Sequence, residues 1–229
     1  MQQNGFIPEL TAHLVSAAKL NDGKAPSERE LAEHFGVSRG QVREALAILE
    51  AAQLIDRRAK SGIYLTDGGL GLGTMAFYAN AGIPLEPKQI FEAVEVRKIH
   101  EIKAAELAAE RATEANFKRL RDILARSETR ISQGEGLASL DREFHLEIVA
   151  STQNSIFLNI CKTFYTLGEK RHPVYFAKPE RNKKSHQEHT QIFDALYRRD
   201  GELTKALMNA HLRGAMSYWS ELLDTENKS

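Results

Sequence analysis

The sequence predicts a mainly α-helical protein with two parts. The first would be a winged helix-turn-helix of three helices plus a small β-hairpin, and the second an all-α bundle of about six helices. Two capped helices close together, followed by two β-prone runs, indicate the first part. Apolar residues at helical spacing, without strand-like alternation, indicate the second. We expect domains over residues 1–68 and 86–224, joined by a linker over residues 69–85.

Two Ser-x-x-Glu/Gln patterns mark the starts of the paired helices. Ser27 with Glu30, and Ser38 with Gln41, are capping boxes, in which each side chain satisfies a free backbone amide at a helix start. Gly36 ends the first of these helices, because glycine tolerates a left-handed backbone. Two helices with separate caps and a connection of about three residues are typical of a helix-turn-helix.

A hairpin and a linker are predicted after these helices. Residues 54–56 and 63–65 are β-prone and are separated by a polar stretch. The sequence near residues 67–85 begins with a glycine-rich stretch, and residues 80–87 contain two prolines; both residue types break regular structure. We therefore expect a small wing beside the helices and then a hinge.

Composition limits the partners and the compartment. The 31 basic and 31 acidic residues cancel, so any nucleic-acid contact must use local positive charge. The single cysteine, Cys161, cannot form an internal disulfide, which suits a reducing compartment. Residues 1–15 lack the pattern of a signal peptide, and no apolar run reaches the roughly 18 to 20 residues that span a bilayer. We expect a cytoplasmic protein without membrane contact.

The second capped helix carries the candidate DNA contacts. Arg39 and Arg43 lie four residues apart, so both project from one face. A helix-turn-helix places the N-terminal end of this helix in the major groove, where arginine can bind guanine O6 and N7 in bidentate fashion. Ser38 and Gln41 can donate to phosphates or base edges.

Two further residues extend this predicted surface. Arg29 would lie near the DNA backbone, and Gly62 would let the wing approach the minor groove closely. Residues 24–64 contain seven basic against six acidic residues, so placement rather than net charge would favour DNA. The alternative is an ordinary solvated helix face.

This N-terminal stretch resembles the winged helix-turn-helix of the GntR family. The matching residues are 26–32, 37–39, 42–46, 54–55 and Gly62. The resemblance implies a regulator that binds double-stranded DNA. We hypothesise a homodimer that reads a palindromic operator with half-sites about one helical turn apart. The family usually has threonine or proline where Gln41 stands, and Gly40 is a poor helix former, so the operator sequence is not carried over.

The C-terminal part resembles the ligand-binding domain of the FadR-type branch of that family, often called FCD, over about residues 90–219. The matching segments are 95–101, 141–145, 188–189 and 210–211. Many members of this branch bind a divalent metal through one aspartate and three histidines at these places. The resemblance implies Asp141, His145, His189 and His211 as ligands.

Residue spacing supports this ligand set. Asp141 and His145 are four apart on one helix face, and His189 and His211 lie eleven residues on either side of Asp200. If Asp200 turns an antiparallel helical pair, both imidazoles fall at the same height. Such inward groups are costly to bury unless they are paired or coordinated.

Two alternatives stay open for these histidines. They can be hydrogen-bonded core residues without metal, and His186, one turn before His189, is a rival ligand. The nitrogen and oxygen donors suit Zn²⁺, Ni²⁺, Fe²⁺ or Mn²⁺ without choosing among them.

Arg97 and Glu101 form a second candidate pair on an apolar helix stripe. An inward arginine is suited to clamp a carboxylate, and in the family an arginine here helps hold an acidic metabolite beside the metal. This implies a small carboxylate effector. The alternative is a surface ion pair between the two residues.

These features favour a ligand-responsive transcription regulator, a repressor in our hypothesis, without enzymatic activity. The main rival is a metal-dependent enzyme fused to a DNA-binding head, because metal-bound water can act as a nucleophile. A third possibility is a structural DNA-bridging protein that binds no ligand.

Overall fold

The structure is a computed structural model, and it describes residues 3–59, 61–66, 71–81, 87–167 and 172–226. The chain divides into two compact units, Met1–Leu85 and Glu86–Ser229. Each unit has its own apolar core. Among the helices of the described residues, none combines the length and the apolar character needed to cross a membrane.

The N-terminal unit contains the predicted helix-turn-helix and wing. Its elements are α1 (Gln3–Lys19), β1 (Lys24–Ala25), α2 (Glu28–Phe35), α3 (Arg39–Ala51), β2 (Ile55–Arg58), β3 (Gly62–Leu65) and α4 (Leu72–Ala81). Both predicted capping boxes form, at Ser27 and at Ser38. Gly36 adopts the left-handed conformation, with φ 64°, that ends α2.

The wing is a three-stranded antiparallel sheet, whereas the sequence predicts a hairpin alone. Strand β3 lies in the middle, between β1 and β2. Lys24 pairs with Tyr64, and Ala25 pairs with Ile63. A strand of two residues is too short to show alternation, so the sequence pattern could not reveal β1.

Helix α4 occupies most of the segment that the sequence predicts to be a linker. Met75 is buried, and the Thr74 hydroxyl donates to the carbonyl of Ala52 at 3.4 Å. Phe77 and Tyr78 pack against the core of the N-terminal unit. This helix is short and flanked by residues 67–70 and 82–86, which lie outside the described residues. The limits of the linker stay a prediction.

The C-terminal unit is all-α. Its helices in the described residues are α5 (Pro87–Arg111), α6 (Glu114–Ser132), α7 (Ala138–Ala150), α8 (Ser155–Leu167), α9 (His172–Tyr175), α10 (Pro179–Tyr197) and α11 (Gly201–Glu226). Six of them correspond to the predicted helices. The seventh, α9, is a single turn, which is below the length at which apolar periodicity can be detected.

The long helices of this unit pack around one apolar core. Helix α5 packs against α7, α8, α10 and α11, and α6 packs against α7 and α10. Phe117, Phe144, Leu120 and Ile192 are among the fully buried side chains. The connection between α10 and α11 is short, as predicted, and the carboxylate of Asp200 accepts from the backbone amide of Leu203 at 3.0 Å. This connection brings the facing surfaces of α10 and α11 together.

Asn182 joins three segments inside this unit. Its side-chain oxygen accepts from the amide of Leu137 at 2.9 Å, and its side-chain nitrogen donates to the carbonyl of Phe176 at 3.0 Å and of Lys178 at 3.3 Å. The side chain therefore satisfies backbone groups at the start of α7 and after α9.

We expect Asn182→Ala to lower the free energy of unfolding of the C-terminal unit by about 2–4 kcal/mol, because each buried polar group left unpaired costs about 1–3 kcal/mol. Urea denaturation followed by circular dichroism measures this change. The control is Lys183→Ala at the neighbouring exposed position. Equal unfolding free energies for the two variants would contradict the structural role of Asn182.

Candidate metal centre and candidate DNA-binding face

Four buried or half-buried side chains converge inside the C-terminal unit. Helix α7 supplies Asp141 and His145, α10 supplies His189, and α11 supplies His211. One potential ligand atom from each residue lies within 4.8 Å of the others. The four residues implied by the family resemblance are thus brought together, and the fold itself provides the convergence.

The three imidazoles point their Nε2 atoms at a common centre. The Nε2 atoms of His145 and His211 are 3.1 Å apart, and that of His189 lies 3.3 Å and 3.2 Å from them. A tetrahedral ion bound to nitrogen at about 2.0–2.1 Å requires nitrogen atoms about 3.3 Å apart. Asp141 Oδ1 lies 3.4 Å from the Nε2 atom of His189. These distances fit one small divalent ion.

Hydrogen bonding alone satisfies this arrangement poorly. A hydrogen bond between two imidazole nitrogens needs one N–H and one lone pair, so three nitrogens in mutual contact cannot all pair with one another. A divalent ion accepts a lone pair from each of them. The donor set therefore fits a metal better than it fits a hydrogen-bonded core.

Outer carboxylates face the far side of two imidazoles. Glu101 Oε2 lies 2.6 Å from His145 Nδ1, and Glu188 Oε2 lies 2.7 Å from His211 Nδ1. A carboxylate at Nδ1 favours the tautomer that leaves Nε2 free to bind a metal. Glu188 is not among the site residues predicted from the sequence, because residue spacing within α10 does not show that it faces α11.

Ser185 supports the aspartate of the cluster. Its hydroxyl donates to Asp141 Oδ1 at 3.2 Å, and the hydroxyl oxygen of Ser185 lies 3.5 Å from His189 Nε2. Ser185 is also absent from the residues predicted from the sequence, although its position four residues before His189 places both on one face of α10.

Burial keeps His189 suited to coordination. Its side chain stacks on Phe144 with ring centroids 4.1 Å apart. Burial lowers its pKa well below the ordinary value, and the neighbouring His211 and His145 lower the pKa further. The imidazole is therefore neutral near pH 7, which is the form that binds metals.

The rival histidine lies outside the cluster. His186 is half-buried on α10, and its Nδ1 atom has no hydrogen-bonding partner in the part of the chain that the structure describes. The four convergent ligand atoms include that of His189 and not that of His186.

Arg97 points inward, as predicted, and is only 17% exposed. Its Nε donates to Glu101 Oε1, and its Nη2 donates to the Tyr165 hydroxyl. The Nη1 atom lies 3.4 Å from His172 Nε2. The guanidinium is thus surrounded by side chains, with its weakest contact at His172, and the surface ion pair considered from the sequence is excluded by this burial.

The charges of this pair stabilise each other. Burial alone would raise the pKa of Glu101, but Arg97 and His145 lower it well below the ordinary range. Burial lowers the pKa of His172 to about 4, and the charge of Arg97 contributes. Glu101 is therefore anionic and His172 neutral near pH 7.

A cavity of about 720 Å³ adjoins Arg97. Tyr165 and His172, which both contact Arg97, line it, as do Arg130 and Arg142. Glu143, also in the lining, is paired with Arg126, and Arg130 is paired with Glu135 at 3.4 Å. Of the charged side chains that line the cavity, two are basic and one is acidic. Neither Tyr165 nor His172 was identified from the sequence, because α8 and α9 bring them together only in the fold.

The candidate DNA-binding residues of α3 are exposed. Arg39 and Arg43 both project into solvent. Arg43 Nε donates to Glu28 Oε2 at 2.7 Å, which uses one of the five N–H donors of the guanidinium. In the capping box, the Ser38 hydroxyl donates to Gln41 Oε1 at 3.0 Å. Gln41 therefore retains its side-chain NH₂ group as a donor.

The other two predicted contacts lie on α2 and at the wing. Arg29 is exposed on the first turn of α2. Gly62 begins β3 with φ +126°, and a Cβ atom there would lie 3.2 Å from Lys24 Cε. The positive φ favours glycine, because an L side chain would be strained in this backbone conformation. Beside the wing, Arg57 is paired with Glu50 at 2.5 Å, a contact that the sequence did not predict.

Comparison with known proteins gives matches for both units. Residues 7–65 match the family described as bacterial regulatory proteins, gntR family. Residues 92–214 match the FCD domain. A solved structure described as "Lar controls the expression of the Listeria monocytogenes agr system and mediates virulence" has a TM-score of 0.66 at 18% identity. It covers 96% of this chain and 97% of its own, and the likeness concerns the fold alone.

Two curated relatives are similar over most of their length. The HTH-type transcriptional regulator LutR of Bacillus subtilis (strain 168) is 31% identical over 205 residues, which is 87% of this chain and 93% of the relative. The Uxu operon transcriptional regulator of Escherichia coli (strain K12) is 31% identical over 208 residues, covering 87% and 79%. The chain therefore belongs to the gntR family of bacterial regulatory proteins, as a DNA-binding transcriptional regulator that carries an FCD domain.

Proposed function

We propose that this regulator is a cytoplasmic, homodimeric repressor whose C-terminal unit binds one divalent metal ion and a small organic acid. The observation that carries this proposal is the convergence of three imidazole nitrogens and one carboxylate oxygen. The DNA contacts that we propose are made by Arg29, Ser38, Arg39, Gln41, Arg43 and Gly62.

The metal would be held by Asp141, His145, His189 and His211. When bound, the ion would supply a Lewis-acidic centre that attracts an anionic oxygen of the effector. The protein itself fixes the ligand orientation, since Glu101 and Glu188 hold two of the imidazoles from behind. Zn²⁺, Ni²⁺, Fe²⁺ and Mn²⁺ all accept such a donor set.

The effector would be a carboxylate that interacts with Arg97. The Nη1 atom of Arg97 lies 3.4 Å from the Nε2 atom of neutral His172, a long contact, so a carboxylate in that place would gain a charge-assisted hydrogen bond. Arg130 and Arg142 in the wall of the neighbouring cavity favour an anion as well. Glu101, which the sequence assigns to effector binding, carries a negative charge and would act there through Arg97.

Regulation would follow from linked binding equilibria. An effector changes DNA affinity only to the extent that it binds the DNA-competent and DNA-incompetent arrangements differently. A two-fold dimer would read the two halves of a palindromic operator. Repression is the outcome we favour, because a dimer that occupies an operator excludes other proteins from it without needing further contacts.

A metal-dependent enzyme is the alternative function. The two curated relatives described above are named as regulators, which favours a sensor. Turnover of a carboxylate by the metal-loaded protein would support the enzyme instead.

The DNA-binding proposal predicts that Arg43→Ala weakens binding to the preferred duplex by about 5- to 150-fold. A bidentate arginine–guanine contact is worth about 1–3 kcal/mol of discrimination, and about 1.4 kcal/mol corresponds to tenfold. The probe is a duplex selected from a random pool by the wild-type protein, and mobility shift measures the affinity.

The control for this experiment is Arg126→Ala, which removes an exposed arginine of the C-terminal unit. We expect this variant to bind as the wild type does. Unchanged affinity of Arg43→Ala would remove Arg43 from the proposed DNA contacts.

The metal proposal predicts that His189→Gln lowers the affinity for Ni²⁺ or Zn²⁺ more than about 100-fold, because loss even of a partner behind a ligand typically costs about 10–100-fold. Isothermal titration calorimetry measures this affinity, and elemental analysis of the purified protein identifies the ion it carries.

His186→Gln is the matched control, since it lies one turn earlier on the same helix and outside the cluster. Its metal affinity should stay close to that of the wild type. A larger loss in His186→Gln than in His189→Gln would reverse the ligand assignment.

A further inference from the structure

Glu101 contacts two functional groups with its two oxygen atoms. Oε1 accepts from Arg97 Nε, and Oε2 lies 2.6 Å from His145 Nδ1. The side chain is 1% exposed. Glu101 Oε2 and His145 Nδ1 are both buried, and neither atom makes a hydrogen bond to any other group in the described part of the chain. These two atoms therefore depend on each other.

A buried carboxylate divides its charge between such partners. Because Glu101 is buried, water screens its interactions with Arg97 and His145 only weakly. A change in the ion pair with Arg97 therefore changes the electrostatic interaction between Glu101 and His145. A carboxylate on Nδ1 also orients the imidazole and increases its basicity as a metal ligand. The state of Arg97 thus influences the donor strength of His145 Nε2.

The far side of Arg97 leads to the cavity. The Tyr165 hydroxyl accepts a hydrogen bond from Arg97 Nη2, and His172 Nε2 faces Arg97 Nη1. Both side chains line the cavity. The Arg97 guanidinium also stacks over the Tyr165 ring, 4.1 Å from its centroid. A continuous series of polar contacts therefore runs from the cavity wall through Arg97 and Glu101 to His145.

We propose that Glu101 is a positioning residue that links Arg97 to the metal ligand His145, so that a carboxylate bound at Arg97 and a metal ion bound at His145 change each other's affinity. This inference rests on the proposed function, because it concerns the same metal and the same effector class. It assigns to Glu101 a role in communication between them.

The coupling follows from electrostatics and linkage. An anion on Arg97 neutralises the guanidinium and lessens its hold on Glu101, which leaves more of the carboxylate charge for His145. The metal ion is then bound by a stronger donor. By thermodynamic reciprocity, the metal ion strengthens the binding of the anion by the same factor.

The test measures Ni²⁺ affinity by isothermal titration calorimetry in the full-length protein. We expect Glu101→Gln to weaken Ni²⁺ binding by about 10–100-fold, the range for partners behind a metal ligand. The matched control is Glu106→Gln on the same helix, whose carboxylate pairs with Lys103 and Lys205. We expect this control to bind Ni²⁺ as the wild type does.

A double-mutant cycle separates communication from a general structural effect. Arg97→Gln should change the Ni²⁺ affinity by about threefold or more in the wild-type background, and by much less in the Glu101→Gln background, because contacting residues show non-additive effects. Equal effects in both backgrounds would overturn the link through Glu101. Thermal midpoints of the metal-free variants report on their folding.

The outcomes distinguish this inference from the proposed function. A wild-type protein that binds no Ni²⁺, Zn²⁺, Fe²⁺ or Mn²⁺ would overturn both. Normal Ni²⁺ affinity in Glu101→Gln would overturn the inference and leave the metal site in place. If Glu101→Gln does not fold, Tyr165→Phe, which removes only the hydroxyl on Arg97, takes its place in the cycle with Arg97→Gln. Additive effects of that pair on Ni²⁺ affinity would then overturn the proposed series of contacts.

Discussion

The C-terminal unit depends on compensating the cost of burying Asp141 and three imidazoles in an apolar bundle. An unpaired buried polar group costs about 1–3 kcal/mol, and a buried charge costs more. Glu101, Glu188 and Ser185 meet part of this cost from outside the cluster. Their positions on α5 and α10 therefore constrain how these helices pack against α7 and α11. The same contacts lower the energetic cost of burying the cluster and orient its side chains for the metal binding that we propose.

The N-terminal unit keeps its charged groups exposed instead of buried. In the DNA contacts that we propose, its arginines face a polyanion. They must do so by their placement, because the 31 basic and 31 acidic residues of the chain cancel. The structure holds two of them with carboxylates, Arg43 with Glu28 and Arg57 with Glu50. Exposed ion pairs contribute little to stability. Their consequence is geometric, since the hydrogen bond from Arg43 Nε to Glu28 limits the orientations of the guanidinium.

Local sequence determined where several helices begin and which of their residues face inward. The capping boxes at Ser27 and Ser38 fix helix starts, and they form as their four-residue patterns predict. Helical spacing predicts six of the helices in the C-terminal unit, and the turn at Asp200 predicts that His189 and His211 meet. These predictions succeed because they depend on residues that are close in the sequence. Capping hydrogen bonds lie within one helical turn, and the inward face of a helix follows from its 3.6-residue period.

The tertiary structure alone decided the rest. Strand β1 exists because β3 offers it a partner, and α4 packs on a core that residues far along the chain supply. The same holds for the contact between Glu101 and His145, which are 44 positions apart in the sequence, and for the meeting of Tyr165 and His172 at Arg97. Sequence determined which side chains point inward, because inward direction follows from periodicity. Helix packing decided which of these inward side chains contact one another, and the periodicity of the sequence does not specify how helices pack.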